Sequence, residues 1–368
     1  MRAGILRALA ALALCWAAAS AGAAPKRAAV PPAPDANAWT VGVAGGLLEG
    51  TFIRYAADLA KVLDDGPNLR VLPMVTYGAV GNVSDLLNLR GVDVAITQAD
   101  VLDHFREEQK IANIDKRIQY ISPLFNAEMH VYARPEYNSL QDLAGKKVSF
   151  NTPGSAANLT GQVVFKRLGI AVEPVLMNNA IALEKMRAGD IAAVVHVVGK
   201  PNDLFAKFKP EPGFHFLPVD YRQELSDYYV PATLEAADYP NLLAPGASIP
   251  TIAVPTVLAV FNWPADSDRF RRVSRFIEAY FAKFERLQQP SFQPKWQEVN
   301  LAGTVPGWTR YRVAEDVLAK MKAARVAPEQ ALRSRFESFL STRADAGRAL
   351  SSTEREALFN DFLKWQQR

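Results

Sequence analysis

Three turns carry the residues best suited to binding a small molecule, because each follows an apolar run and precedes a helical pattern. They are Gly50-Thr51-Phe52, Gly78-Ala79 with Asn82, and Gly154-Ser155-Ala156. The first N–H groups of a helix have no intrahelical partner, so together with hydroxyls they bind anionic groups. In open α/β sheets, ligands sit at turns of this kind, beyond the carboxyl ends of strands. We therefore predict a carboxylate site where the turns meet; the alternative is that each turn only caps its helix.

The third turn belongs to the most informative stretch of the chain, residues 145–155. A polar Leu-x-Asp-Leu turn precedes it, and residues 148–150 form a short apolar run that predicts a strand. A Pro-Gly-Ser bend then leads into a predicted helix over residues 156–168. No nucleophile–base pair accompanies this unit. The pattern therefore favours holding a small molecule over transforming one.

Motifs typical of enzymes and metal sites are absent from the sequence. It has no Gly-x-Ser-x-Gly and no His-Glu-x-x-His, and its four histidines show no metal spacing. Packing or hydrogen bonding is expected for each histidine; His196, at a strand end near Lys200, has the most potential to join a site. Lys200 itself either points toward the predicted ligand site or is a solvated lysine on a turn. We therefore expect that the protein is not an enzyme and uses neither a cofactor nor a metal. The least supported alternative is a periplasmic enzyme that uses His196 or Asp100.

The N-terminus has the pattern of a secretory signal. Arg2 and Arg7 precede a run rich in Ala and Leu, and the small residues after it suit cleavage near Ala21 or Ala23. We therefore predict a signal peptide over residues 1–23. An uncleaved anchor is the alternative, but the apolar run is shorter than the roughly 20 residues that span a bilayer.

The exported chain is expected to be a periplasmic protein without disulfides, because Cys15, the only cysteine, lies in the predicted signal. Residues 24–38 are rich in Ala and Pro and predict a flexible leader. With 49% hydrophobic content, the 368-residue chain can form one large or two medium cores. The formal net charge is +4, and the Lys and Arg residues form no dense cluster in the sequence. The lack of such a cluster argues against a nucleic-acid partner. No later segment is apolar enough to predict a membrane span.

Alternating apolar runs and helical patterns predict an α/β fold with mostly parallel strands. Residues 129–134 and 251–261 are candidates for two strands that cross between two lobes. After about residue 325 the sequence is charged and helical. We predict a C-terminal helical extension over residues 326–368.

An ordered series of motifs resembles the TAXI family of TRAP-transporter solute-binding proteins over roughly residues 39–325. In chain order these are Gly50-Thr51-Phe52, the Gly-x-Val-x-Asn turn of Gly78, Val80 and Asn82, residues 91–100 (GVDVAITQAD), residues 142–148 (DLAGKKV), Pro153-Gly154-Ser155, Gly199-Lys200-Pro201, residues 229–233 (YVPAT) and Tyr239-Pro240. Many periplasmic binding proteins share the Asp-Leu-x-Gly-Lys-x-Val turn alone, whereas the whole series is more specific.

The resemblance implies a type II periplasmic-binding-protein fold, in which crossover strands join two α/β lobes around a ligand cleft. Lobe 1 would comprise residues 39–134 and 253–325, and lobe 2 residues 135–252. Such a receptor captures a small organic acid or amino acid, such as glutamate or 2-oxoglutarate, by lobe closure and passes it to a TRAP membrane permease. The ligand contacts implied are Gly50, Thr51, Phe52, Thr76, Tyr77, Gly78, Ala79, Gln98, Gly154, Ser155, Ala156, Gly199 and Lys200.

One residue departs from the family pattern. Members commonly have Ser where this chain has Ala79, so one hydroxyl donor is missing and a glutamate-like pose does not follow. An alternative function keeps the same fold but makes the protein a ligand-sensing or interaction protein. In that case residues 326–368 would dock on a signalling or assembly partner instead of a permease.

Overall fold

The computed structural model describes residues 37–209, 211–342 and 351–366. The predicted signal peptide lies outside the described residues, as does the predicted leader up to residue 36. Within the described ranges, no helix combines the length and the apolar character that crossing a bilayer requires.

Ten strands form one mixed sheet in the described part of the chain. They are β1 (Thr40–Gly46), β2 (Arg70–Val75), β3 (Val94–Gln98), β4 (Ile118–Ala133), β5 (Lys147–Ser149), β6 (Glu173–Val175), β7 (Ala193–Val198), β8 (His215–Phe216), β9 (Val230–Glu235) and β10 (Ser248–Phe261). Their order is β2-β1-β3-β10-β4-β7-β5-β6, with β8 paired to β4 and β9 paired to β10. The predicted α/β fold is confirmed. The expectation of mostly parallel strands holds only for the trios β2-β1-β3 and β6-β5-β7, because β4, β8, β9 and β10 pair antiparallel with their neighbours.

The sheet consists of two halves with the same strand order. In the first half, β1 lies between β2 and β3 and is parallel to both. In the second half, β5 lies between β6 and β7 and is again parallel to both. An antiparallel strand follows each trio, β10 beside β3 and β4 beside β7. Each half is therefore an α/β unit, and α/β units of this kind bind ligands beyond the carboxyl ends of their strands.

β4 and β10 join the two halves and pair with each other antiparallel, residues 118–128 of β4 with residues 253–261 of β10. The prediction of two crossover strands is confirmed, but β4 begins at Ile118, well before the predicted run at residue 129. Pro123 hides the strand in the sequence, since proline is rare inside strands. The structure accommodates it opposite Val257, where the register of the ladder shifts.

Helices connect the strands. They are α1 (Thr51–Leu63), α2 (Ala79–Asn88), α3 (Val101–Asp103), α4 (Ile114–Arg117), α5 (Gln162–Arg167), α6 (Asn179–Ala188), α7 (Asp203–Ala206), α8 (Asp268–Ala282), α9 (Phe284–Leu287), α10 (Arg312–Thr342) and α11 (Ser352–Gln366). π-helical segments continue α3 (His104–Glu108) and precede α5 (Ala157–Gly161). The helical stretch from residue 268 to 287 is divided at Lys283 into α8 and α9, and α10 runs unbroken through the predicted boundary near residue 325.

Buried residues on both faces of the sheet form the core. Every residue of β3 and β7 is buried, as expected for strands that helices cover on both sides. Tyr55 of α1 packs on Trp296 with 4.0 Å between ring centroids, and Trp296 donates its indole N–H to Asp58. These contacts fix α1 against the segment that follows α9, so the start of α1 has a defined position at the sheet edge.

Asn82 ties α2 to the ends of two strands. Its side chain is fully buried, and its amide Nδ2 donates to the carbonyl oxygens of Ile96 at 2.6 Å and Ala44 at 3.3 Å. The asparagine therefore sets where the Gly78 turn stands relative to β1 and β3.

Replacing Asn82 with Ala is expected to lower the free energy of unfolding by about 1–3 kcal/mol, because two buried carbonyl groups lose their donor. Urea unfolding followed by circular dichroism measures the loss. Asn88→Ala is the matched control, since Asn88 lies on the same helix but is exposed and bonds only to Ser84. An equal effect of the two substitutions would contradict the assignment.

Candidate functional site

A cavity of about 40 Å³ lies between the two halves, at the carboxyl ends of their strands. The first half contributes Gly46, Leu47, Glu49, Gly50, Thr51, Phe52, Tyr77, Gly78 and Ala79. The second half contributes Asn151, Ser155, Ala156, Ala157, His196, Val197 and Val198. The three predicted turns thus meet at one place, and apolar side chains line much of it, as in most small-molecule sites.

The structure brings most, but not all, of the predicted contact residues to this cavity. Those that line it are Gly50, Thr51, Phe52, Tyr77, Gly78, Ala79, Ser155 and Ala156. Those outside its lining are Thr76, Gln98, Gly154, Gly199 and Lys200. The lining residues that sequence reasoning did not select include Glu49 and Asn151.

The predicted residues outside the lining make contacts within the protein. Lys200 places its ammonium group 2.8 Å from Asp238 and donates its backbone N–H to Glu128. Gln98 is buried and accepts a hydrogen bond from Thr160 across the two halves at 3.1 Å. Lys200 therefore has a carboxylate partner of its own in this structure.

Backbone groups touch directly across the cleft beside the cavity. The N–H groups of Val80 and Gly81, in the first turn of α2, donate to the carbonyl oxygen of Gly154 at 3.0 and 3.2 Å. Gly78 has a φ of 109°, and a Cβ there would stand 3.4 Å from the Cα of Ser155. The N-terminus of α2 is thus occupied by the protein's own carbonyl group, and the two halves are in contact.

Side chains add further bonds between the halves around the same cavity. Thr51 donates its hydroxyl to the Gly199 carbonyl at 3.4 Å, and Asn202 donates its amide to the Glu49 carbonyl at 3.1 Å. Arg54 of α1 forms an ion pair with Asp203 of α7. These bonds connect the two halves beside the cavity.

The start of α1 is the helix end that remains open to the cavity. Gly50 precedes the helix in an extended conformation, and no side chain of the described residues caps it. The N–H groups of a first helical turn carry the positive end of the helix dipole. Thr51 and Phe52 therefore present groups that suit an anion, with Phe52 adding an apolar surface.

His196 is the polar side chain in the cavity whose hydrogen bonds are most clearly incomplete. It lies on β7, is only 5% exposed, and neither ring nitrogen has a hydrogen-bond partner within the described residues. Burial, with a smaller contribution from His130, lowers the pKa of His196 to about 3. The neutral ring offers one donor and one acceptor. A buried polar group without a partner is costly, so His196 is suited to bonding a ligand.

Ser155 is a second polar group at the cavity. It is 3% exposed, and its oxygen accepts the backbone N–H of Asn158 at 3.2 Å, as an N-cap does. The hydroxyl hydrogen makes no bond to the residues that the structure describes. Ser155 can therefore cap its helix and donate to a ligand at the same time.

The buried His196 predicts a dependence of stability on pH. Its pKa is lower in the folded than in the unfolded protein, so the unfolded chain takes up the proton first as pH falls. Stability is then lost between about pH 6.5 and pH 3, with a slope of up to about 1.4 kcal/mol per pH unit for this histidine.

Chemical unfolding of wild type and His196→Gln at a series of pH values from 6.5 to 5 measures this slope. The variant is expected to lose less stability over the interval than wild type. His215→Gln, at a partly exposed histidine, controls for the loss of an imidazole as such. Parallel curves for wild type and His196→Gln would show that His196 does not carry the effect.

Several solved structures are similar to this chain. The alkanesulfonate-binding protein SsuA from Xanthomonas axonopodis pv. citri, bound to MOPS, has 14% identity and a TM-score of 0.39, covering 76% of this chain and 82% of its own. An ancestral arginine-binding protein bound to arginine has 17% identity and a TM-score of 0.38, covering 68% and 96%. The amino acid ABC transporter substrate-binding protein AbpA from Streptococcus pneumoniae, bound to L-arginine, has 14% identity and a TM-score of 0.39, covering 71% and 92%.

A family model matches the part of the chain that contains both halves of the sheet. The match spans residues 43–290 and is to the NMT1-like family. The finer assignment to the TAXI family remains a prediction. Because the match covers well over half of the 368 residues, this protein belongs to the NMT1-like family.

Proposed function

We propose that this protein is a solute-binding receptor that captures a small organic acid or amino acid between its two halves and delivers it to a membrane permease. One observation carries the proposal. The uncapped start of α1, the Ser155 hydroxyl and the unpartnered His196 surround one buried cavity at the strand ends of both halves. The helix start, the Ser155 hydroxyl and the one N–H of the neutral His196 ring can donate to an anionic group, and apolar side chains lie beside them, which suits a small acid.

Ligand entry requires the halves to separate. A cavity of about 40 Å³ has room for about three water molecules, which is less than an amino acid needs. β4 and β10 are the connections around which the halves move, and their paired register shifts near Pro255. Binding favours closure through contacts that the open arrangement lacks. The Gly154 carbonyl and the first turn of α2 supply part of the closed contact without any ligand.

The finer parts of the proposal rest on sequence. The predicted signal peptide over residues 1–23 supports export to the periplasm. The motif series supports a TRAP-type permease as the membrane partner. We assign residues 39–134 and 253–325 to one lobe and residues 135–252 to the other, in agreement with the two strand trios.

Native mass spectrometry of the protein purified from its host tests the proposal directly, before and after mild denaturation and refolding. A small acid that is released on denaturation would support a receptor and identify the ligand class. An apo mass throughout, with no thermal shift from a panel of amino acids and dicarboxylic acids, would contradict it.

Ser155→Ala is expected to weaken carboxylate binding by about 1–3 kcal/mol, because a buried charged group loses a donor. Isothermal titration calorimetry with the identified acid measures the change. Ser226→Ala is a matched control in an exposed turn, where the hydroxyl bonds only to local groups. Because Ser155 also caps a helix, the melting temperature of the unliganded variant is recorded separately. Unchanged affinity would remove Ser155 from the site.

A further inference from the structure

We infer that the ligand carries an ammonium group as well as a carboxylate, and that Glu49 is the residue that selects it. The inference rests on the proposed function and narrows its ligand class. Glu49 lines the cavity directly before the turn that starts α1, so it lies close to the predicted carboxylate site. A small zwitterion matches this pair of groups in charge, with its carboxylate at the helix start and its ammonium group at Glu49.

Glu49 is held in place by the opposite half of the protein. Its carboxylate oxygen Oε1 accepts the amide of Asn178 at 3.1 Å, and its backbone carbonyl accepts the amide of Asn202 at 3.1 Å. Both asparagines cap helices, α6 and α7, so their own positions are fixed. The second oxygen, Oε2, makes no hydrogen bond to the described residues. The carboxylate of Glu49 is therefore held in a fixed position, and its Oε2 atom can still accept a hydrogen bond from a ligand.

The cavity lining contains the acidic side chain of Glu49 but no basic side chain opposite it. No Lys or Arg is among the residues that line it, and the lowered pKa of His196 leaves the ring neutral at pH 7. Three basic side chains around the cleft have carboxylate partners of their own: Arg54 pairs with Asp203, Lys200 with Asp238, and Lys295 with Glu128. Glu49 is thus the one acidic side chain among the residues that line the cavity, and no basic side chain accompanies it there.

The acidic side chain of Glu49 argues against a dicarboxylate ligand. A ligand such as 2-oxoglutarate would bring a second carboxylate into a small site whose one formal charge is also negative, and like charges in a poorly hydrated site repel strongly. An ammonium group instead pairs with Glu49 and donates to Oε2. An α-amino acid has both groups, whereas its 2-oxo and 2-hydroxy analogues lack the cation.

Matched ligands separate these classes. Isothermal titration calorimetry of the purified full-length protein would compare L-alanine with lactate and pyruvate, and L-glutamate with 2-oxoglutarate. We expect the amino acid of at least one series to bind at least tenfold more tightly than its oxo or hydroxy analogue. Equal or tighter binding of the analogues in both series would overturn the inference while leaving the proposed function in place. If none of these acids binds, the inference is overturned, whereas the proposed receptor function is still decided by the native mass spectrometry described above.

Glu49→Gln tests the role of the residue itself, because it keeps the acceptor for Asn178 and removes only the charge. We expect the variant to lose at least tenfold in affinity for the amino acid and to bind the analogues as well as or better than wild type does. Glu184→Gln, at an exposed position on α6, is the matched control. Thermal unfolding without ligand establishes that the variants are folded. A preference for the amino acid that persists in Glu49→Gln would overturn the assignment of Glu49.

Discussion

The antiparallel pairing of β4 with β10 is the constraint on which the rest of the structure depends. The two strands are long enough to belong to both halves, and each borders a trio of parallel strands. Because of this pairing, the carboxyl ends of the two trios face one another across a single cleft. The turns that follow β1, β2 and β5 are remote in sequence, yet they meet there. The site therefore follows from the sheet topology and not from any one motif.

The cleft is held together mainly by backbone groups where the halves meet most closely. The Gly154 carbonyl accepts from the first turn of α2, and glycines at positions 78 and 81 permit the approach. These glycines carry the motif signal in the sequence, which predicts ligand contacts at both turns. The structure gives Gly154 a different role, since its carbonyl group contacts the opposite half. The groups left for a ligand lie at the start of α1 and on the side chains of Ser155 and His196.

Electrostatics divide the polar residues of the cleft into two sets. The cations around it are paired with carboxylates of the same chain, and the buried Lys295–Glu128 pair stands 2.7 Å apart between β4 and the segment after α9. Such pairs stabilise one arrangement of the chain without providing charge to a ligand. His196 and Glu49 belong to the second set, because their hydrogen-bonding capacity is not used up. The ligand recognition proposed above thus depends on a neutral imidazole and one carboxylate.

The sequence by itself determined the α/β class, the position of most strands and helices, and the turns at which the site forms. Local patterns suffice for these features, because apolar periodicity and glycine-rich turns are read from neighbouring residues. An ordered motif series in the sequence also resembles the TAXI family, an assignment that stays a prediction, whereas the family model shows membership of the NMT1-like family. Sequence patterns missed the first half of β4, where Pro123 interrupts the apolar pattern.

Only the tertiary structure decided which polar groups face the cavity. Lys200 looks like a free cation in the sequence, but Asp238, 38 residues later, pairs with it. His196 resembles an ordinary core histidine until its two unpartnered nitrogens are placed beside the cavity. Glu49 has no motif at all, and its role depends on asparagines more than a hundred residues away. The physical reason is that charge pairing and burial depend on contacts between distant segments, which local sequence patterns do not contain.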